Sequence, residues 1–257
     1  MEPQLPTVTV VIPNHNYEQW IKQAIESVDE QDYPAKSIVV IDDNSKDGSL
    51  NKIAECFYGE SKAVGNNIIM GRTKNGTPIT VVIMIKEGDD GYGPSVARNV
   101  AIKLAWQKTH IFMFLDADDY WLQGKISKSV TKIIEAPDKI GVVYTDNYGL
   151  NIHNGVLIRE YRPSFDVNKL KRNCFVHSGS AVTKLAFETC GLYDETMRTA
   201  EDWHLWLRIS KQFLIYRIPE PLVVARNGSY NSTNSVDDNV WKENWQKIGV
   251  LIKQLYG

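Results

Sequence analysis

The sequence predicts an α/β fold in which a central, mainly parallel sheet is flanked by helices, and three observations predict it. Continuous β-branched runs recur through the first half, the pattern of strands covered on both faces. Amphipathic helical stretches separate those runs, as in successive βαβ units. Polar and acidic clusters follow directly on the apolar runs, at the edge where an open parallel sheet gathers its ligand.

The elements follow in chain order. "TVTVVIP" (Thr7–Pro13) and "SIVVID" (Ser37–Asp42) read as strands, and between them Trp20, Ile21, Ala24, Ile25 and Val28 share one helical face. After "DDNSKDGS", Leu50, Ile53, Ala54 and Phe57 suggest a second helix. Two β-rich arms then flank Asn75-Gly76, a hairpin signal because both central positions favour positive φ. Pro94 suits a first helical turn, and "SVARNVAIKLAW" continues that helix towards the strand Ile111–Leu115.

In the second half "GVVYTDNYGL", "GVLIREY" and "LIYRIPEPLVV" read as strands and "EDWHLWLRISKQ" as a short helix. A terminal helix carries Val240, Trp241, Trp245, Ile248, Ile252 and Leu255. No repeat or Gly/Ser linker divides the chain, so one domain over residues 1–257 is expected. Tryptophans at 121, 203, 206, 241 and 245 suit either core or a binding wall.

Composition narrows the function classes. With 257 residues one large core is affordable, and 29 basic against 31 acidic residues leave a net charge of -2. That balance argues against nucleic acid as a partner and against general attraction to anionic membranes. Cys56, Cys174 and Cys190 have no metal-finger spacing and read as free thiols of a reducing compartment. No run of about 18 apolar residues occurs. The expectation is a soluble, cytoplasmic protein whose only membrane association would be peripheral.

Three clusters fall at the sheet edge: "PNHN" (Pro13–Asn16), "DDNS" (Asp42–Ser45) and "DADD" (Asp116–Asp119). The turn after the first strand contains no glycine, which speaks against a dinucleotide fingerprint, and no P-loop motif exists. A nucleotide whose phosphates are neutralised by a divalent cation remains. Mg²⁺ or Mn²⁺ takes one or two carboxylates and completes its shell with phosphate oxygens and water. Asp116 and Asp118 are alternate residues at a strand end, so both can reach one ligand. The five histidines are scattered, without HxxxH or HExxH spacing.

Taken together, "VVIPNHNYEQWIKQAIESVDEQDYP", "IVVIDDNSKDGS", "GPSVARNVAI", "FLDADD" and "EDWHLWLRI" resemble the family 2 glycosyltransferases of the GT-A fold. The likeness spans residues 1–120 and the segment around Asp202. It implies a Rossmann-like, nucleotide-sugar-binding half at 1–120, fused to a smaller acceptor-binding and catalytic half at 121–225, with a tail and helix at 226–257. By the same likeness Pro13, Asn14, Asp42 and Asp43 hold the nucleoside, Arg98 lies near the base or diphosphate, and Asp116 contacts ribose or metal. Asp118 then ligates Mn²⁺ or Mg²⁺, and Asp202 of the Glu201-Asp202 pair is the catalytic base.

The resemblance implies an inverting enzyme that uses a UDP-sugar and a glycan, lipid-linked or protein acceptor. Chemistry agrees with those roles: transfer needs charge relief on the leaving diphosphate and removal of a proton from the acceptor hydroxyl. A helix start at Glu201 would also favour an ionised Asp202. Trp121, His177, Ser178, Glu201, Trp203 and His204 are candidates for sugar or acceptor contacts, and "EGDDGYGPS" (Glu87–Ser95) for a segment that orders over bound nucleotide. One departure is plain: "VVARNGSYNS" holds Arg226 where relatives carry an RxH metal histidine, but no His. A sugar-phosphate nucleotidyltransferase and a non-catalytic nucleotide-sugar-binding protein stay open as alternatives.

Overall fold

The computed structural model describes residues 5–34, 36–228 and 236–257. Its centre is a run of parallel strands. Strand β1 (Val8–Asn14) lies between β2 (Lys36–Asp43) and β6 (Ile111–Phe114), parallel to both, and β2 pairs in parallel with β5 (Pro78–Met84). Helices α1 (Ile21–Asp29), α2 (Ser49–Ala54) and α3 (Pro94–Ala105) make the crossovers. The predicted hairpin joins β4 (Ile68–Arg72) to β5, with Gly76 at φ +83° in its turn, and β3 (Lys62–Val64) adds an outer strand.

The second half continues the same sheet. Strand β10 (Ala181–Thr183) runs antiparallel between β6 and β8 (Ile140–Asn151). Beyond β8 come the parallel β11 (Leu214–Asn227) and the short β7 (Tyr120–Trp121), while β9 (Leu157–Glu160) pairs with β8. Helices α4 (Lys125–Glu135), α5 (Val167–Leu170), α6 (Lys184–Cys190), α7 (Glu201–Ile209) and α8 (Asp238–Tyr256) complete the layers.

Strand alternation divides the core. Val8, Val10 and Ile12 of β1 pack with Ile21, Ile25, Ile126 and Val130 of α1 and α4, whereas Val11 packs with Ala97, Phe187, Trp206 and Ile248 of α3, α6, α7 and α8. One sheet buried on both faces explains why its strands lack polar alternation. Sequence periodicity missed α4, α5, α6, β3, β7 and β10. Among the described residues no helix is long and apolar enough to cross a membrane.

Candidate functional site

The carboxyl ends of β1, β2 and β6 open into a cleft of about 830 Å³. Because Asn14 is in register with Asp42, its Nδ2 donates to Asp42 Oδ2 at 2.8 Å and to Ser45 Oγ at 3.1 Å. The Asn14 Oδ1 is buried without a partner, and Asn14 lines the cleft with Pro13 and Asp43. Asp42 itself does not reach the cleft; it is 1% exposed and fastens Asn14 and the Ser45 amide. Its expected contact with nucleoside is therefore replaced by support of the residue beside it.

Asp43 accepts the Tyr92 and Gly93 amides, each at 2.8 Å, through its two oxygens. Asn44 donates to the Gly88 and Asp90 carbonyls, and Lys86 to that of Gly91. Gly91 packs so closely on Asp43 that a Cβ there would meet its Oδ2 at 2.3 Å. The segment Glu87–Ser95, expected to order over nucleotide, is thus latched onto the end of β2.

The acidic turn after β6 is clamped from several sides. Asp116 accepts Arg98 at 2.8 Å through Oδ1 and Ser178 at 2.6 Å through Oδ2. Asp119 accepts the Arg226 amide at 2.9 Å, while the Arg226 guanidinium donates to the Asp118 carbonyl and to Gln23. That guanidinium also lies over Trp20 and Tyr120, at 4.3 and 4.9 Å from the ring centres. The sequence reading missed Arg226 as an organiser because its partners sit on elements more than 100 positions away.

Asp118 is different. Among the described residues no side chain donates to its carboxylate, which lines the cleft. Burial and the Asp116 charge push its carboxyl up to about 7, and burial with both neighbouring aspartates pushes Asp119 well above the carboxylate range. No three His, Cys, Asp or Glu among the described residues gather into a metal-binding group. A hard cation holding one or two protein carboxylates plus diphosphate oxygens nevertheless fits Asp118, whose cleft-lining carboxylate no described side chain engages, with Asp116 two residues before it. Asn227 also lines the cleft, with Nδ2 3.5 Å from Glu160, and residues 229–232 of the "VVARNGSYNS" stretch lie outside the described residues.

The other wall is built by the start of α7. Ala200 precedes it at φ 56°, a left-handed conformation unusual for alanine. Glu201 and Asp202 then line the cleft, and Glu201 accepts Arg98 at 2.6 Å. Asp202 Oδ1 accepts the Trp203 amide at 2.6 Å. Burial, then the Glu201 charge, push the Asp202 carboxyl up to about 7, working against the preference of a helix start for an ionised group.

Of the expected sugar or acceptor contacts, Ser178, Glu201 and Trp203 line the cleft, together with Cys174, Trp241 and Trp245. Trp203 is 4% exposed and meets Trp245 edge to face at 5.6 Å. Trp121 is not a cleft wall: it is 3% exposed, paired with Val223 and packed against the α1 and α4 core. His177 points instead towards Thr145, 3.5 Å away, and burial pushes its pKa well below the usual imidazole range. His204 faces away from the lining, its Nδ1 buried without a partner and its pKa lowered by burial to about 4.

Comparison with known proteins bears on this geometry. A family model described as "Glycosyl transferase family 2" matches residues 9–77 and 79–188. Over 250 residues the chain is 25% identical to the UDP-Glc:alpha-D-GlcNAc-diphosphoundecaprenol beta-1,3-glucosyltransferase WfgD of Escherichia coli, covering 96% of this chain and 87% of the relative. Its structure is similar to S. aureus TarS 1-349 in complex with UDP-GlcNAc, at TM-score 0.73 and 19% identity over 98% of this chain and 68% of the other. The mannosyltransferase PcManGT from Pyrobaculum calidifontis, in complex with GDP-Man and Mn²⁺, matches at TM-score 0.58 and 20% identity, over 89% and 59%. At such identities the two structural likenesses establish a shared fold.

Proposed function

The chain belongs to glycosyl transferase family 2, a glycosyltransferase acting on nucleotide sugars, and from that premise we propose an inverting transfer from a UDP-sugar with Asp202 as general base. One observation carries the proposal: a single cleft is lined by the Asp116 and Asp118 turn and by Asp202. The donor's nucleoside lies against Pro13, Asn14 and Asp43, where the unpartnered Asn14 Oδ1 offers an acceptor. Its diphosphate lies at the acidic turn, and Asp118 with Asp116 would hold Mn²⁺ or Mg²⁺ there. A divalent ion so bound supplies Lewis-acid charge relief to the leaving diphosphate.

The chain's own residues handle the proton. Asp202 Oδ1 is engaged by the Trp203 amide, which leaves Oδ2 to take the proton of an acceptor hydroxyl. That hydroxyl oxygen bonds to the anomeric carbon while the sugar–phosphate bond breaks and its electron pair leaves with the diphosphate. Attack opposite the leaving group inverts the anomeric centre. A carboxyl near 7 suits this task, because a base is most effective when its pKa lies close to the working pH. The name of the E. coli relative, a UDP-Glc-dependent enzyme acting on a diphosphoundecaprenol-linked sugar, favours a UDP donor and a glycan or lipid-linked acceptor.

Asp202→Asn is expected to lower transfer by at least about a thousandfold while UDP affinity, measured calorimetrically, stays within about twofold. A large loss of UDP binding would move Asp202 into the donor site and overturn its assignment. In a thermal-shift screen, UDP with Mn²⁺ is expected to stabilise the protein more than GDP, TDP or CMP. Stabilisation by GDP instead would replace the donor assignment.

A further inference from the structure

Arg98 stands among the most buried charges near the cleft, at 3% exposure, and both of its terminal nitrogens are committed. One reaches Asp116 at 2.8 Å and the other Glu201 at 2.6 Å, while the Tyr193 ring covers the guanidinium at 5.5 Å. Its Nε is buried without any partner. Each terminal nitrogen thus spends one hydrogen on a carboxylate, one on each side of the cleft that Arg98 lines.

We propose that Arg98 is a positioning residue which, by bridging Asp116 and Glu201, holds the donor-side acidic turn and the base-bearing helix in one fixed arrangement. The bridge continues on the donor side, where Ser178 takes the other Asp116 oxygen at 2.6 Å. On the acceptor side Glu201 and Asp202 are consecutive in the first turn of α7, so the bond that fixes one fixes the other. The turn needs such an anchor: Ala200 just before it is held left-handed, a conformation that relaxes unless its surroundings impose it. Glu201 thereby becomes a second positioning residue rather than an acceptor contact, and its charge sets the field in which Asp202 works. The inference rests on the reading of Asp202 as base.

Arg98→Ala would leave two buried carboxylates unneutralised and is a poor test of anything but folding. Glu201→Gln keeps the contact and removes the charge. Its acid limb in kcat/KM against pH is expected to move down by about one unit, with UDP affinity within about twofold by calorimetry. Glu201→Ala breaks the bridge and is expected to lower kcat by about tenfold or more at unchanged UDP affinity. An unmoved limb in Glu201→Gln overturns the proposal, as does a tenfold loss of UDP binding in either variant. Asp202→Asn separates the two readings. If it is inactive while the Glu201 variants match the wild type, only the bridge fails; if it turns over normally, the base assignment fails and the bridge falls with it.

Discussion

Asp118 shows how a single side chain can be costly to the empty protein and useful to the loaded one. Its folded carboxyl is raised to about 7, so the folded state holds a proton that the unfolded chain has released above its ordinary value near 4. The stability it contributes is present below that ordinary value and is lost as pH rises through about 7. Asp118→Asn is therefore expected to match the wild type in Tm near pH 4 and to exceed it above pH 7, by on the order of 1 kcal/mol. The same variant should lose the Mn²⁺-linked part of any stabilisation by UDP. A Tm difference that does not change with pH would contradict the origin assigned to the shift. At this scale the position of the acidic residues was legible, because a polar cluster directly after a buried apolar run marks the carboxyl edge of the sheet where the cleft opens. Trp121 was misread for the same reason: its neighbours in sequence are acidic, but its neighbours in space come from α1, α4 and β11. The partnership of Arg98 with Glu201 was hidden by 103 positions of chain.

Among the elements, the connection from β5 to α3 carries the clearest consequence. It is latched through Asp43, and the latch requires a residue without a side chain at Gly91. Gly91→Ala places a Cβ 2.8 Å from the Asp43 carbonyl oxygen as well, a backbone atom that cannot rotate away. The expected outcome is a loss of about 1–3 kcal/mol in stability and a weaker UDP affinity by calorimetry, with Asp202-dependent chemistry retained at saturating donor. Unchanged UDP binding would separate this loop from the donor site. The sequence disclosed most elements through their periodicity. It concealed α4, whose buried face includes Lys125 and Ser129, since a buried lysine and serine read as solvent-facing. It concealed β10 because three residues are too few to establish any period.

For the whole molecule, the two core layers share β1, β2, β6, β8, β10 and β11 between them. Val10 of β1 faces one layer and Val11 the other, so neither layer can dissolve without removing the floor of its counterpart. Denaturant unfolding is expected to give one transition, coincident by tryptophan fluorescence and far-ultraviolet circular dichroism. Two separated transitions would mean that the donor and acceptor halves are independent units. The short strand β10 has a further consequence for synthesis on the ribosome. It lies against β6, yet leaves the ribosome some 70 residues later. Until it arrives, β6 presents an open apolar edge to every other nascent chain nearby. The centre of this sheet is thus finished late, and the interval before its closure is when the protein is most exposed to aggregation and most in need of a chaperone.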